Sequence, residues 1–181
     1  DSIRSLQNVP ITAYAGAFTV DRIAPTVASA TLTAGQVVPE GTLSMSVTFS
    51  EAVRPANISS TIVSLTSAAG SSVTPTNVSY SQSTNTLNIE FPALAGETAY
   101  TLNLASGDGK LEDLAGNDLD GDANGSFGGN YALTFGVNAP AGSFPAPLTQ
   151  TGPAGSRVYQ GSTTGAINFT NDTDAFTLSL D

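Results

Sequence analysis

Hydrophobic and polar residues alternate with a period of two along several short stretches of this chain. The clearest stretch covers residues 42–49, where Leu, Met, Val and Phe alternate with Ser and Thr. Successive side chains of a β-strand point to opposite faces, so this pattern predicts a strand with one buried face and one face in water. The same alternation predicts strands at residues 85–91, 99–105 and 130–137.

Weaker alternation predicts three more strands, at residues 27–33, 61–66 and 73–80. No stretch shows the spacing of an amphipathic helix. About seven strands in roughly 110 residues is typical of an immunoglobulin-like sandwich. We therefore predict an all-β fold, an Ig-like Greek-key β-sandwich of about seven strands with a long acidic loop before the last strand.

Tyr100 supports the sandwich. The stretch 94–102 reads LAGETAYTL, with a leucine, a turn glycine and then a tyrosine that enters an alternating strand. This order is similar to the tyrosine corner of Greek-key sandwiches, in which the hydroxyl bonds a backbone group a few residues upstream. An ordinary core tyrosine is the alternative role for this residue.

The flanks of the sandwich differ from it in pattern. Residues 1–20 are expected to hold the last strand of a preceding module, which Pro25 would keep from continuing. Residues 21–138 form the complete module, and the Pro- and Gly-rich residues 139–160 are expected to be a linker. A new β pattern begins in residues 161–181.

Composition narrows the possible functions. The formal net charge of −10 would repel phosphate backbones and anionic lipid surfaces, so a nucleic-acid partner is not expected. No apolar run approaches the roughly 20 residues that span a bilayer, so membrane insertion is not expected. The chain has no Cys and no His, which removes Ser-His-Asp and Cys-His catalysis and thiolate or imidazole metal sites. We predict that it is not an enzyme.

Several motifs in order carry a family resemblance. They are DRIAPTV from residue 21, FSEAV in 49–53, LAGETAYTL, EDLAGNDLDGD in 112–122 and YALTFGV in 131–137. Together they resemble bacterial Ig-like domains that are repeated in secreted and cell-surface proteins, including S-layer proteins. The C-terminal stretch 165–180 looks like the opening of a bacterial pre-peptidase C-terminal domain, through Gly165, Ile167, Asp172, Asp174 and Phe176.

Residues 106–130 form the predicted acidic loop, far longer than the hairpin connections of about 2 to 5 residues. Six of the 15 acidic residues lie there, and clustered carboxylates repel one another unless a cation bridges them. From Asp120 the sequence fits the first six positions of a calcium loop, D-x-[DN]-x-[DN]-G. The predicted calcium ligands are Asp113, Asp118, Asp120, Asp122, Asn124 and Ser126.

The match to a calcium loop is incomplete. Its twelfth position is Tyr131 instead of a bidentate Glu, and no helices flank it, so an EF-hand is rejected. The missing ligands would have to come from nearby residues or the backbone. The alternative is a solvated turn, in which Asp and Asn are present because they tolerate tight and left-handed backbone geometry.

Asp21 and Glu51 suggest a second calcium site. Asp21 precedes RIAP at the start of the module, and Glu51 lies in FSEAV. This arrangement resembles cadherin-type linkers, in which shared Ca²⁺ stiffens the joint between successive sandwiches. Asp21 as a turn residue and Glu51 as a solvated strand end are the alternative roles.

These expectations combine into one predicted function. The resemblance implies an extracellular or cell-surface bacterial multidomain protein in which such domains act as structural or adhesion modules. The acidic loop adds the expectation that calcium stabilises the module. Its partners would be neighbouring modules of the same chain, with a cell-surface protein or a polysaccharide as a further partner. The alternative is a carbohydrate- or substrate-binding accessory module of a secreted hydrolase. Phe127 and Tyr131 flank the acidic loop and could contact a saccharide, although packing against the sandwich is the favoured role for both.

Overall fold

The computed structural model describes residues 7, 16–139, 142–143, 149–150, 152–153, 159–160, 170–173 and 176–177. Nine strands build a two-sheet sandwich: β1 (Val27–Ala30), β2 (Val37–Pro39), β3 (Gly41–Phe49), β4 (Val63–Ser67), β5 (Ser72–Val73), β6 (Asn77–Ser81), β7 (Thr86–Leu94), β8 (Thr98–Leu104) and β9 (Tyr131–Asn138). Two 3-10 turns, Pro55–Asn57 and Ser60–Ile62, precede β4. No helix in these residues has the length and apolar character needed to cross a membrane.

The strands are distributed over two sheets. One sheet has the order β1-β3-β7-β6 and is antiparallel throughout. The other has the order β2-β9-β8-β4-β5, in which β2 runs parallel to β9 and the other neighbours are antiparallel. The predicted all-β, Ig-like sandwich is therefore confirmed.

The alternating residues of the long strands form the core. In β3 the side chains of Leu43, Met45, Val47 and Phe49 are buried, and in β8 those of Tyr100, Leu102 and Leu104 are buried. The Ser and Thr residues between them lie on the outer faces, where the hydroxyls of Thr101 and Thr134 approach to 3.0 Å across β8 and β9. Burying apolar surface contributes on the order of 25 cal/mol per Å², so this core is the main source of stability.

The strand count is higher than the predicted seven. The stretch expected as one strand at 73–80 is two strands, because β5 belongs to one sheet and β6 to the other. Pro75 lies between them and has no N–H to donate to a ladder, which suits a point where the chain crosses between sheets. The sequence prediction also missed β2, a three-residue strand too short to show alternation.

Tyr100 occupies the position expected of a tyrosine corner. Its side chain is 4% exposed, and its hydroxyl donates a long hydrogen bond of 3.4 Å to the carbonyl of Ala95. Its ring stacks on that of Phe135, with centroids 6.0 Å apart. The hydroxyl thus finds a partner while the ring packs in the core.

The flanking segments are described only in part. Residues 16–20 have no regular secondary structure, and residues 11–15 of the expected preceding strand lie outside the described residues. Two short pairings follow the sandwich, Gly142–Ser143 with Phe176–Thr177 and Thr149–Gln150 with Tyr159–Gln160. Of the residues that suggest a pre-peptidase domain, Gly165, Ile167 and Asp174 lie outside the described residues, so that assignment stays a prediction.

Candidate metal centre

The acidic loop, residues 106–130, connects β8 to β9 as predicted. Two leucines anchor it, because Leu111 and Leu119 are each 0% exposed and join the core. Isolated bridges pair Glu112 with Asp118, Val53 with Asp113 and Thr26 with Asp120. Apolar anchors and backbone hydrogen bonds therefore order a connection that sequence length alone would suggest is disordered.

Asp21, Glu51 and Asp113 form a first group of carboxylates, here called the junction cluster. One carboxylate oxygen from each residue lies within 4.8 Å of the other two. The three residues come from the segment before β1, from the connection after β3 and from the acidic loop. The structure thus brings together the predicted pair Asp21 and Glu51 and adds Asp113 to it.

The two more buried members of the junction cluster differ in pKa. Burial raises the pKa of Glu51, and the negative charges of Asp21 and Asp113 raise it further. Burial would also raise the pKa of Asp113, but hydrogen bonds from Asn117, Ala115 and Gly116 outweigh it and lower that pKa. Asp113 is therefore a stable anion, and Glu51 is the member that repulsion affects.

Asp113 is held by the turn that follows it. Its Oδ1 accepts the backbone N–H groups of Ala115 and Asn117, each at 2.8 Å. Its Oδ2 accepts the side-chain amide of Asn117 at 2.7 Å. This turn is the DLAGN motif of residues 113–117, and its sequence is therefore explained by the need to satisfy a carboxylate that is only 2% exposed.

Asp108, Glu112 and Asp118 form a second group, here called the loop cluster. Again one carboxylate oxygen of each lies within 4.8 Å of the others. Glu112 is already partly neutralised, since its Oε1 lies 2.8 Å from Nε of Arg54 and accepts the amide of Asn57 at 3.0 Å. Asp118 has no such compensation, because its Oδ1 is buried and no group of the described residues hydrogen-bonds to it.

The environment of Asp118 opposes its negative charge. Burial raises its pKa, and repulsion from Asp108 and Glu112 raises it further. A buried carboxylate oxygen without a donor costs free energy. The loop cluster therefore presents an anionic oxygen that a cation or a proton would stabilise.

Four of the predicted calcium-loop residues are hydrogen-bonded to one another within a single turn. Asp120, 4% exposed, accepts the backbone N–H groups of Asn124 and Gly125 at 3.0 and 2.9 Å. Asp122 accepts the side-chain amide of Asn124 at 2.9 Å, and Asn124 Oδ1 accepts the N–H of Ser126 at 2.8 Å. Asp120 and Asp122 belong to neither acidic cluster. Their regular spacing builds a hydrogen-bonded turn, and calcium binding by this turn stays a prediction.

The six predicted ligands are thus divided. Asp113 belongs to the junction cluster and Asp118 to the loop cluster, whereas the other four bond within the turn. Sequence reasoning missed Asp108 and Glu112 as candidate ligands. The available signal was the adjacency of Glu112 and Asp113, because neighbours in an extended stretch point to opposite sides and can serve two different sites.

The two aromatic residues beside the loop also differ. Tyr131 packs against the core, and burial raises its pKa. Phe127 is 55% exposed, so the expectation that it packs against the sandwich was wrong. It lies among glycines with positive φ, Gly125, Gly128 and Gly129, a backbone conformation that glycine adopts without strain.

Solved structures of other proteins are similar to this chain. Two solved structures of the surface layer protein SbsC are similar to the chain, with 23% and 24% identity and TM-scores of 0.45 and 0.44. Each match covers 70% of this chain and 15% of the SbsC chain. CopC from Methylosinus trichosporium OB3b is similar at 16% identity, over 64% of this chain and 94% of that one, with a TM-score of 0.46.

A comparison with curated proteins found no match. The family model of the bacterial Ig-like domain matches residues 21–136. This range contains the nine-stranded sandwich almost to the end of β9, together with both acidic clusters. The chain belongs to the bacterial Ig-like domain family.

Proposed function

We propose that residues 21–138 act as a structural module of a secreted or cell-surface bacterial protein, and that Ca²⁺ stabilises the module through its acidic loop. The observation that carries this proposal is the pair of three-carboxylate clusters, to which the acidic loop contributes four of the six side chains. One cluster also takes Asp21 from the segment that leads into the sandwich. A cation there would bind the loop and the entering segment to the same point.

The cluster dimensions suit Ca²⁺. This ion takes oxygen ligands at about 2.3 to 2.6 Å, so two oxygens that share one ion are at most about 5 Å apart. The oxygens of both clusters lie within 4.8 Å of one another. All the candidate ligands are carboxylates. Carboxylate oxygens are hard donors, which Ca²⁺ prefers, whereas transition metals favour softer donors such as thiolates. Water or backbone carbonyls would complete the coordination.

Electrostatics favours a cation at both places. Three carboxylates within this distance repel one another, and burial together with this repulsion raises the pKa values of Glu51 and Asp118. Among the described residues, Arg54 is the cationic side chain that forms an ion pair with a cluster member, and that member is Glu112 of the loop cluster. A divalent ion would relieve the repulsion in each cluster and satisfy the buried Oδ1 of Asp118.

Thermal unfolding in EDTA and in Ca²⁺ tests this proposal. Ca²⁺ at about 100 times its Kd would add about 2.7 kcal/mol and raise Tm by on the order of 10 °C. Asp118→Asn should reduce the Ca²⁺-dependent rise, and Glu51→Gln should do the same through the other cluster. Glu90→Gln is the matched control, since Glu90 lies on the exposed face of β7. A Tm of the unaltered chain that does not respond to Ca²⁺, with no heat in calorimetry, would refute the proposal.

The proposed multidomain setting is supported by the segment before the sandwich. Phe18 and Val20 are two residues apart, so they would share one face of a strand, and their side chains are 87% and 57% exposed. Two exposed apolar side chains on one face fit the last strand of a preceding module, which would cover them, better than a segment that stays in solvent. In this setting the module would be a spacer or an adhesion unit, and its role would be mechanical rather than catalytic.

A carbohydrate- or substrate-binding role is the second candidate. The observation in its favour is the exposed ring of Phe127 beside the acidic loop, since an aromatic face can stack on a sugar ring. A selective signal on a glycan array that disappears in Phe127→Ala would support this role. Equal signals from the two proteins would exclude Phe127 as the binding residue.

A further inference from the structure

The side chain of Asn117 contacts both the acidic loop and the segment by which the chain enters the sandwich. One hydrogen of its amide is donated to Oδ2 of Asp113 at 2.7 Å, and the other to the carbonyl of Ile23 at 3.1 Å. Asn117 and Asp113 are joined twice more, through the N–H of Asn117 to Oδ1 and the N–H of Asp113 to the carbonyl of Asn117. The amide is therefore rigidly oriented before it reaches Ile23.

The rest of the entering segment is attached further along the chain. The carbonyl of Pro25 accepts the N–H of Asp120 at 2.9 Å, and Thr26 exchanges hydrogen bonds with Ser50. In the other direction, Asp21 Oδ1 accepts the N–H of Ile23, a contact within the segment itself. Among the hydrogen bonds of the described residues, the one from Asn117 to Ile23 is thus the outermost that ties this segment to the module.

We infer that Asn117 sets the position at which the rigid module ends and the flexible joint begins. With the amide in place, the chain is fixed to the module from Ile23 onward. Backbone rotation at the joint is then confined to the exposed residues before Ile23. Without the amide, the outermost attachment is the carbonyl of Pro25, and residues 21–24 are released. Asn117 is then a positioning residue for Asp21 as well, because Asp21 lies only two residues before Ile23.

This inference does not need a cation. The hydrogen bonds involve no metal, so the joint is restrained in metal-free protein, and Ca²⁺ in the junction cluster would add a second restraint. Only the statement about Asp21 as a calcium ligand rests on the proposed function. The two ideas can therefore fail separately.

The chain has no native cysteine, so spin labels can be attached specifically to cysteines introduced at the joint. Arg22 and Thr101 are both exposed, the first in the entering segment and the second at the centre of β8. In the doubly spin-labelled Arg22→Cys/Thr101→Cys protein, pulsed electron paramagnetic resonance in EDTA measures the distribution of distances between the two labels. We expect Asn117→Ala to roughly double the width of this distribution, because local opening spreads when the outermost restraint is lost.

Two further variants keep the result interpretable. Asn117→Ser adds no charge beside Asp113 and has a single hydroxyl hydrogen, which cannot serve both Asp113 and Ile23, so it should broaden the distribution as well, in case Asn117→Ala does not fold. Asn130→Ala removes another asparagine contact of the acidic loop, the bond from the N–H of Ser106 at 2.9 Å, without touching the entering segment. It should leave the distribution as narrow as in the parent protein.

A label pair that reports the loop itself, Lys110→Cys with Thr101→Cys, separates positioning from folding of the loop. Its distribution should stay unchanged in Asn117→Ser. The inference is overturned if both Asn117 variants leave the Arg22 distribution unchanged, or if the loop pair broadens as much as the Arg22 pair. Narrowing of the parent distribution by added Ca²⁺ would support the proposed function, and a lack of narrowing would count against it while leaving the role of Asn117 intact.

Discussion

The sheets and the acidic loop of this module are stabilised in different ways. Across the nine strands β1–β9 only Glu90 is charged, whereas the acidic loop carries six carboxylates. The sheets are held by burial of alternating side chains, which pH and ions barely affect. The loop is anchored by two leucines but contains charges that repel one another. Because almost all of the charge lies in the connections, solution conditions can change the loop without changing the core.

The largest expected effect is in the sheets. Phe135 is 1% exposed and stacks on Tyr100, so Phe135→Ala should lower the free energy of unfolding by about 3 to 5 kcal/mol. Urea denaturation measures this loss, and the loss should be the same in EDTA and in Ca²⁺. Phe127→Ala is the matched control, since its ring is exposed. A comparable loss in Phe127→Ala would contradict the distinction between core and loop.

Removal of the Asp113 carboxylate should have a smaller but substantial effect. Asp113→Ala leaves the N–H groups of Ala115 and Asn117 and the amide of Asn117 without their acceptor. We expect a loss of about 2 kcal/mol in EDTA, typical of buried donors that lose a charged partner. Denaturation of the metal-free protein tests it. A variant as stable as the parent would show that water replaces the carboxylate at no cost.

The pH dependence should reveal opposite behaviour within the acidic groups. The folded pKa values of Glu51 and Asp118 are raised, so their ionisation destabilises the fold, and acidification through these raised values restores stability. The folded pKa of Asp113 is lowered, so its contribution is present above its unfolded pKa and is lost as the pH falls through its folded pKa.

Metal-free protein should therefore gain Tm on mild acidification from neutral pH and lose it again in stronger acid. Thermal scans in EDTA over a pH series measure both limbs. Asp118→Asn should flatten the first limb, because it removes one of the two groups responsible. A Tm that falls steadily from neutral pH in the parent protein would contradict the assigned repulsion.

The smallest effect is expected before the sandwich. Phe18 and Val20 are exposed and belong to neither the core nor the loop, so Phe18→Ser/Val20→Ser should change the free energy of unfolding by less than about 0.5 kcal/mol. Chemical denaturation detects the difference. A larger loss would mean that the segment packs on the sandwich and is not available to another module.

Sequence reasoning predicted the long strands well and the short ones poorly. Alternation marks β3, β7, β8 and β9 because each has at least three buried residues at period two. The two residues of β5 and three of β2 carry no period, and their pairing depends on distant partners. Pro75 in the sequence disfavours one continuous strand over residues 73–80, but the change of sheet at that point depends on tertiary contacts.

The candidate site was predicted in part for a similar reason. The proximity of Asp21 and Glu51 follows from the antiparallel pairing of β1 with β3, which places the residues before Val27 beside those after Phe49. The addition of Asp113 depends on how the acidic loop crosses that end, which linear spacing does not reveal. The spacing of Asp120, Asp122 and Asn124 does not distinguish a turn from a cation site, because alternating short polar residues can satisfy backbone N–H groups as well as a cation.

The parallel pairing of β2 with β9 determines how the module would respond to pulling force. The register Val37 to Gly136, Val38 to Val137 and Pro39 to Asn138 places an early strand beside the last strand, both running the same way. Tension on the two chain ends would pull these strands in opposite directions along their length. The bonds between Gly35 and Thr134, Gln36 and Gly136, and Glu40 and Asn138 would then bear the load together in shear, instead of opening one at a time.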